Sequence, residues 1–450
     1  MQRDLAKYIL RIRPCPDGDV MIEEAKRIED LVRKHTEWFR DSLPMIASEN
    51  LISPTAMKYL ISDLHNRYAE GTPGKRYYQG NIYVDEIERI TTDLAKKLFN
   101  VPYADVRPIS GTNANQAVIF SLLKPGDVMT GPPLQGGAHI SSAKFGAVGM
   151  RGVNKIEYPF DVEEMNLDVD LTERLIRIVK PKVALFGRSV FLFPAPIKEL
   201  KDALDEVGAK VWYDGAHVLG LIAGGQFQDP LHEGAHVMTG STHKTLPGPQ
   251  RGMILANPEG EEEKREKFWK KIQRGVFPGV ISNHHLHHMA ALAIALAEHI
   301  EFGRQYAVQI VKNARTLAEE MHSHGFKVLG EKNGFTKSHT VLVDVVAQGG
   351  GRKVAVALEK ANIIVNYNLL PYDDPKKPMN PSGIRLGVQE LTRIGMKEGE
   401  MKHVAELIKK VAMDGKIEEV REEVKEMKRE FNRIHYCFEE GEAYQFFDFP

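Results

Sequence analysis

Lys244 closes the segment Ser241–Lys244 (STHK), directly after the apolar run His236–Thr239. An amine at a strand end, beside small hydroxyl residues, stands where α/β folds gather their ligands. Most lysines lie on the surface, so the residue alone decides little. Thirty residues upstream, Trp212-Tyr213-Asp214-Gly215-Ala216-His217 ends an apolar run in a carboxylate. Such a carboxylate keeps a pyridinium ring protonated and makes it an electron sink; the same residue type also caps helices. Ser110-Gly111-Thr112 sits between a strand and a helix, where backbone N–H groups and hydroxyls cradle phosphate. His139 follows Gly136-Gly137-Ala138 and can stack on a planar ring. Arg385 follows Pro381-Ser382-Gly383-Ile384, and its guanidinium fork is a natural clamp for an α-carboxylate.

The elements that must carry these residues are legible in outline. Pro14, Pro16 and Gly18 break a short first helix, and Val20–Leu43 reads as a long amphipathic helix with Met21, Ala25, Ile28, Val32 and Phe39 near helical spacing. Helices are expected at Thr55–Leu64, Asp85–Phe99 and Ala114–Leu123, with an extended run at Val106–Ser110. Short apolar runs at Val128–Thr130, Val183–Phe186, Lys210–Tyr213 and His236–Thr239 alternate with helical segments. That alternation argues for a mostly parallel α/β sheet. Gly252–Ala256 follows so closely that it is expected to run antiparallel. Met289–Ser323 is long enough to bridge two domains. Beyond it Phe326–Leu329, Thr340–Val345, Arg352–Lys360, Ile363–Val365, Ile384–Gly387 and helices from Lys397 onward predict an α+β unit. The expected division is an N-terminal arm (1–45), a large domain (46–288), then a connecting helix with a smaller domain (289–450).

Composition narrows the classes of function. The net charge of −1, with signs interleaved in stretches such as Glu418–Lys428, gives no reason to expect nucleic acid or an anionic membrane as partner. Two cysteines, Cys15 and Cys437, exclude a disulfide framework and a cysteine-based metal site. With no apolar leader and no run approaching a membrane span, a cytoplasmic enzyme is expected.

Taken together the motifs are more specific than any one of them. Ile46–Asn50 (IASEN), Tyr68–Tyr78 (YAEGTPGKRYY) with Gly80 and Asp85, Ser110–Thr112 with Asn115, Asp214–His217 (DGAH), Thr242–Leu246 (THKTL) with Gly248-Pro249, and Ser382–Gly387 (SGIRLG) occur in one order. From about Ile46 to Arg393 the chain resembles the serine hydroxymethyltransferase family. The resemblance implies the pyridoxal-phosphate-dependent fold type I, with a mostly parallel seven-stranded sheet in the large domain and a smaller α+β C-terminal domain. It implies pyridoxal 5'-phosphate as cofactor, serine and glycine as substrates, a tetrahydropterin as co-substrate, and a homodimer with shared active sites.

Carried over residue by residue, the resemblance makes Lys244 the Schiff-base lysine, with His243 beside it in the catalytic group, and Asp214 the partner of the pyridine nitrogen. His217 would lie near the ring hydroxyl, and His139 on the ring face. Ser110, Gly111 and Thr112 would hold the phosphate, with Ser189 also at the cofactor. Arg385 would grip the substrate carboxylate with Ser48. Glu70 would handle the hydroxyl proton, and Tyr68 and Tyr78 would close the site from the neighbouring subunit. Tyr77, Leu134, Ile140 and Asn368, with Glu70, fall where the family contacts its pterin.

Several segments depart from the family pattern. Pro-Arg-Gly-Gly is replaced by Pro249-Gln250-Arg251-Gly252, which shifts the basic residue by one. The Gln-Gly-Gly-Pro run that feeds the neighbour's phosphate site reads Ile281-Ser282-Asn283-His284, so Ser282 and Asn283 become the expected phosphate contacts. A family histidine is absent at Ser142, and Tyr and Arg appear as Phe191 and Phe193. These changes leave room for a pterin-independent, threonine-aldolase-like enzyme or for a catalytically silent paralogue. In His284-His285-Leu286-His287-His288, three histidines would share a helical face at metal-binding spacing. With no accompanying HExxH glutamate, interface or phosphate contacts are expected there, and no metal.

Overall fold

The computed structural model describes residues 22–376 and 379–447. The break predicted at Pro14–Gly18, together with Cys15, lies outside the described residues. The first described helix, α1 (Glu23–Arg40), is shorter at both ends than its periodicity predicts and has no buried residue. Its apolar stripe faces outward, with Ile28 62% exposed.

Seven strands form the main sheet: β1 (Tyr103–Asp105), β2 (Val128–Gly131), β3 (Asn154–Glu157), β4 (Val183–Gly187), β5 (Lys210–Asp214), β6 (Val237–His243) and β7 (Pro247–Ala256). Their spatial order is β1-β7-β6-β5-β4-β2-β3. Only β7 runs against the rest, pairing antiparallel with β6 and β1, as its short connection requires. The extended run predicted at Val106–Ser110 is displaced. The strand is Tyr103–Asp105, and Val106–Ser110 is the loop that leads into the next helix. Strand β3 is missing from the sequence reading because Asn154-Lys155-Ile156-Glu157 holds a single apolar residue, Ile156, which is exposed at the sheet edge, while the buried position is taken by Lys155.

Central strands buried on both faces read as continuous apolar runs, which is why Val183–Phe186 and Val211–Tyr213 were recognisable. Their C-terminal ends are drawn together tightly. Gly187 has φ 106°, and a Cβ there would stand 2.2 Å from the Asp214 carbonyl oxygen. Only glycine fits that register, which pairs Gly187 with Asp214.

Helix α2 (Ile82–Phe99) and helix α3 (Gly111–Leu122) flank the sheet, and α4 (Leu286–Ser323) runs 38 residues, about 57 Å at 1.5 Å per residue. It packs against α2 at one end and against a second sheet beyond. That sheet comprises β8 (Lys327–Val328), β9 (Thr340–Asp344), β10 (Asn366–Asn368) and β11 (Gly383–Gly387), ordered β8-β9-β11-β10 and wholly antiparallel. Ile363–Ile364 instead pairs with Leu43–Pro44, tying the N-terminal segment to this unit. Helices at Glu398–Ala412 and Ile417–Glu430 follow, but the chain beyond them forms a small hairpin of Arg433–Ile434 with Gly441–Glu442, not the helix expected. One continuous apolar cluster runs from the large sheet through α4 to these last helices.

Candidate active site

The C-terminal ends of β5 and β6 and the N-terminus of α3 enclose a cavity of 190 Å³. Ser110, Gly111, Thr112, His139, Asp214, His243 and Lys244 line it, joined by Asn115, Ala216 and Ser241. Seven residues predicted from separate motifs thus meet around one space.

Lys244 sits just past β6, where the chain turns back into β7. The turn is locked by Thr242, whose hydroxyl donates to the carbonyl oxygens of Pro249 (2.7 Å) and Arg251 (3.1 Å). Asn50 fixes the lysine backbone by donating from Nδ2 to its carbonyl at 2.5 Å. The Nζ group has no hydrogen bond or ion pair among the described residues, although the side chain is buried. Burial pushes its pKa down to about 8, opposed by the Asp214 carboxylate and assisted by the charge on Arg385. An amine so placed is neutral, and nucleophilic, in a far larger fraction near physiological pH than an exposed lysine.

Asp214 is buried at the end of β5 and fully engaged. Its Oδ2 accepts from Asn115 Nδ2 at 2.9 Å, and its Oδ1 accepts from the Ala216 N–H at 3.1 Å. The second Nδ2 proton of Asn115 goes to Ser141 Oγ at 3.0 Å, and that hydroxyl lies 2.8 Å from His139 Nδ1. The Ser141 N–H also donates to His139 Nδ1 at 3.2 Å, so this ring nitrogen is an acceptor. Asp214 and His139 are therefore held by one network through Asn115. Sequence motifs placed Asn115 in the family pattern without giving it this role.

At the N-terminus of α3, the Ser110 hydroxyl is used as a cap, accepting the Asn113 N–H at 3.1 Å. The Gly111 and Thr112 N–H groups have no acceptor among the described residues, which leaves the helix end open to an anion. A Cβ on Gly111 would stand 2.3 Å from Ser241 Oγ, so a larger residue there would force that hydroxyl to turn away. Gly252 of β7 is more tightly constrained, its Cβ position lying 2.2 Å from the Ser110 carbonyl oxygen, a backbone atom. Gly252→Ala should therefore lower stability by about 1–3 kcal/mol, read from urea unfolding. It should also weaken phosphate retention by displacing the α3 N-terminus.

Arg385 lies on β11 in register with Asn366, whose Oδ1 accepts from its Nε at 3.0 Å. Nη1 donates to the Ser189 carbonyl at 3.2 Å. No carboxylate pairs with it among the described residues, and burial pushes its pKa down to about 10. A buried guanidinium with an unsatisfied fork is short of one anion. Ser189 thus meets Arg385 through its backbone. His217 stacks on His339 with ring centroids 5.7 Å apart, and both keep a buried Nδ1 without a partner. Burial holds both rings neutral, with His339 at about 3. His339 carried no sequence signal, since a lone histidine before an apolar strand reads as core. His243 is held at about 4 by burial and by neighbouring Lys244. Its ring also faces a second cavity of 320 Å³ that contains Ser48.

The remaining predicted residues stand apart from the Lys244 cavity of this chain. Tyr68 and Tyr78 are exposed and pack edge to face at 5.1 Å, while Glu70 is half-buried. Tyr77 is 74% exposed and Ile140 56%; Leu134 and Asn368 are half-buried. Ser282 Oγ lies 3.1 Å from the Tyr68 hydroxyl, and Asn283 is spent on the same loop, with Oδ1 accepting the Ala69 N–H at 3.1 Å. Their side chains serve the Tyr68 loop, and their backbone N–H groups have no acceptor among the described residues. Neither residue has positive φ, so this loop needs no glycine.

The histidine run does not form the shared helical face its spacing predicts. Helix α4 begins at Leu286, with His285 at φ 47° ahead of it, and His284 points away to Glu88. His287 meets His65 at 3.3 Å and His288 meets the Gln250 carbonyl at 3.1 Å. Arg251, the shifted basic residue, is fully buried and donates to the carbonyls of Val106, His284 and His285, so it braces backbone and does not line the cavity. Phe191 is packed on Tyr213 and beneath Arg188.

A mostly parallel seven-stranded sheet, with a buried lysine and aspartate at its strand ends and an open helix N-terminus opposite, defines the pyridoxal-phosphate-dependent fold type I. The family model for serine hydroxymethyltransferase matches residues 21–408. Serine hydroxymethyltransferase of Picrophilus torridus is 58% identical over 94% of this chain and 97% of its own length. That of Thermoplasma acidophilum is 55% identical over 94% and 98%, and that of Methanocella arvoryzae 53% over 94% and 98%. The chain belongs to the serine hydroxymethyltransferase family, whose members depend on pyridoxal phosphate.

Proposed function

We propose that this chain binds pyridoxal 5'-phosphate at Lys244 and moves the hydroxymethyl group of serine reversibly to a tetrahydropterin, leaving glycine. The observation that carries this reading is the single cavity formed by Lys244, Asp214 and the N-terminus of α3. Its groups match the cofactor's demands: an unpartnered amine for the aldehyde, a carboxylate held in place by Asn115 and the Ala216 N–H for the ring nitrogen, and free N–H groups for the phosphate. When bound, the cofactor supplies an electron sink for the carbanion left as the Cα–Cβ bond breaks.

The chain's own residues do the rest. Asp214, fixed by Asn115 and the Ala216 N–H, keeps a proton on the ring nitrogen. With the cofactor bound, His139 would cover the ring face and His217 would lie near the ring hydroxyl, with His243 and Ser189 bordering the site. Arg385 takes the serine carboxylate with the free part of its fork, beside Ser48. Glu70 carries the proton of the serine hydroxyl, with Tyr68 and Tyr78 closing the site. Tyr77, Leu134, Ile140 and Asn368 offer the pterin its contacts, and the peptide N–H groups of Ser282 and Asn283 the phosphate.

The separation of Tyr68, Glu70 and Tyr78 from the Lys244 cavity supports a homodimer in which each subunit completes its neighbour's site. Exposed Ile82 (81%), Tyr83 (82%) and the outward stripe of α1 are apolar surface of the kind that subunits cover. The names of the relatives favour the hydroxymethyltransferase over a pterin-independent aldolase or a silent paralogue. No helix among the described residues is long and apolar enough to cross a membrane, in keeping with a cytoplasmic enzyme.

The test is serine cleavage with and without tetrahydropterin. Glycine formation should depend on the pterin; cleavage of allo-threonine alone, with serine untouched under both conditions, would overturn the reading. A second expectation concerns pH. Cofactor capture needs the neutral amine of Lys244, held at about 8. Below pH 8 the rate of appearance of the visible absorbance should rise about tenfold per unit, then flatten above it.

A further inference from the structure

Two of the segments that depart from the family pattern, Pro249–Gly252 and Ile281–His284, touch one another. Arg251 Nη1 donates to the His284 carbonyl at 2.6 Å and to that of His285 at 2.9 Å, while Nε holds the Val106 carbonyl at 2.6 Å. The arginine and the histidine are thus one packed unit, anchored in the strand that leaves the Lys244 turn.

From that anchor the His284 side chain reaches into a buried group of charges. Its Nε2 lies 3.1 Å from Glu88 Oε2 on α2. The same oxygen accepts from Arg76 Nη2 at 2.5 Å, and Arg76 Nε donates to Asp85 Oδ1 at 2.8 Å. All three of His284, Glu88 and Arg76 are nearly inaccessible. Burial alone would raise the Glu88 carboxyl, yet His284 and Arg76 hold it ionised, at about 2.

Arg76 then spends its remaining nitrogen on the loop that carries Glu70. Nη1 donates to the carbonyls of Ala69 (2.9 Å) and Gly71 (3.0 Å), the residues on either side of Glu70. The Tyr77 N–H closes on the Glu70 carbonyl at 3.1 Å, and Asn283 accepts the Ala69 N–H. The backbone at Glu70 is therefore set by where the Arg76 guanidinium lies, and Asp85 and Glu88 set the guanidinium.

We propose that His284 is a positioning residue for Glu70, acting through Glu88 and Arg76, and that Arg251 locks it to the Lys244 hairpin. The relay gives this chain a physical tie between the cofactor lysine of one site and the acid–base loop. It rests on the reading of Glu70 as the group that handles the hydroxyl proton. In the homodimer that reading describes, the tie connects one active site to the other.

The test uses His284→Met, which fills the volume without a donor, and His284→Gln, which restores an N–H. Hydrogen–deuterium exchange of residues 69–77 is followed in the full-length, cofactor-free protein, with Glu70→Gln assayed in parallel. His284→Met should raise exchange there about tenfold and lower kcat for pterin-dependent serine cleavage by a similar factor. The visible absorbance of the loaded protein should be unchanged, and His284→Gln should recover both losses. Unaltered exchange in 69–77 overturns the proposal, as does full activity of His284→Met where Glu70→Gln is dead. If Glu70→Gln turns over like the parent, the reading of Glu70 fails, and the exchange rate alone decides the positioning.

Discussion

Lys244→Ala should abolish the visible absorbance that pyridoxal phosphate gives the protein and lower serine turnover by roughly 10³-fold, within the range that a positioned proton-transfer group contributes. The lysine is the buried amine of the cavity, with its pKa pushed down to about 8, and Asn50 and Thr242 fix the turn that presents it. Removing it takes away the covalent anchor while leaving the Asp214–Asn115 network and the α3 N-terminus intact. The variant should therefore still bind the cofactor, weakly and reversibly, and fold as the parent does. Absorbance spectra before and after gel filtration, together with circular dichroism, check both halves of that expectation. A variant that keeps the cofactor's covalent absorbance would place the anchor on another lysine.

Arg385→Ala should raise the KM for serine and reduce kcat/KM by roughly 100-fold, which corresponds to about 3 kcal/mol for a buried ionic hydrogen-bonded pair. Arg385 donates to the Asn366 side-chain Oδ1 and to the Ser189 backbone carbonyl, and has no carboxylate of its own among the described residues. Its positive charge is sustained in the fold at a cost that substrate binding offsets. Arg385→Lys should recover little, because an ammonium cannot hold the Asn366 contact and a carboxylate fork together. Because the unpaired charge disfavours the native state, Arg385→Ala should unfold no earlier than the parent in urea. The KM effect with preserved stability separates a substrate clamp from a structural arginine.

What could be read in the sequence follows burial. Val211–Tyr213 and Val183–Phe186 are buried on both faces, so they had to be apolar throughout and were visible as strands. The edge strand Asn154–Glu157, with one exposed apolar residue and a buried lysine, was not. Lys244, Asp214 and the Ser110–Thr112 turn were legible because their chemistry restricts residue type at a strand end or helix start. Asn115, which ties Asp214 to Ser141 and His139, was visible only as part of a motif, since one amide serving two acceptors leaves no spacing signature. The histidine run misled for a related reason. Helical spacing describes a face only if the helix includes every member, and α4 starts at Leu286, leaving His284 free to pair with Glu88. The shifted Arg251 is fully buried and donates to the carbonyls of Val106, Arg107, His284 and His285, so its part is to brace backbone, which its place in the sequence does not reveal.

The central claim is that one lysine, at the end of the β6 strand, anchors the cofactor. Borohydride reduction of the protein loaded with pyridoxal phosphate, followed by peptide mass spectrometry, tests it most directly. The account predicts a single pyridoxyl-phosphate adduct on the peptide containing Thr242-His243-Lys244. An adduct confined to any other lysine, or none after loading, would contradict it.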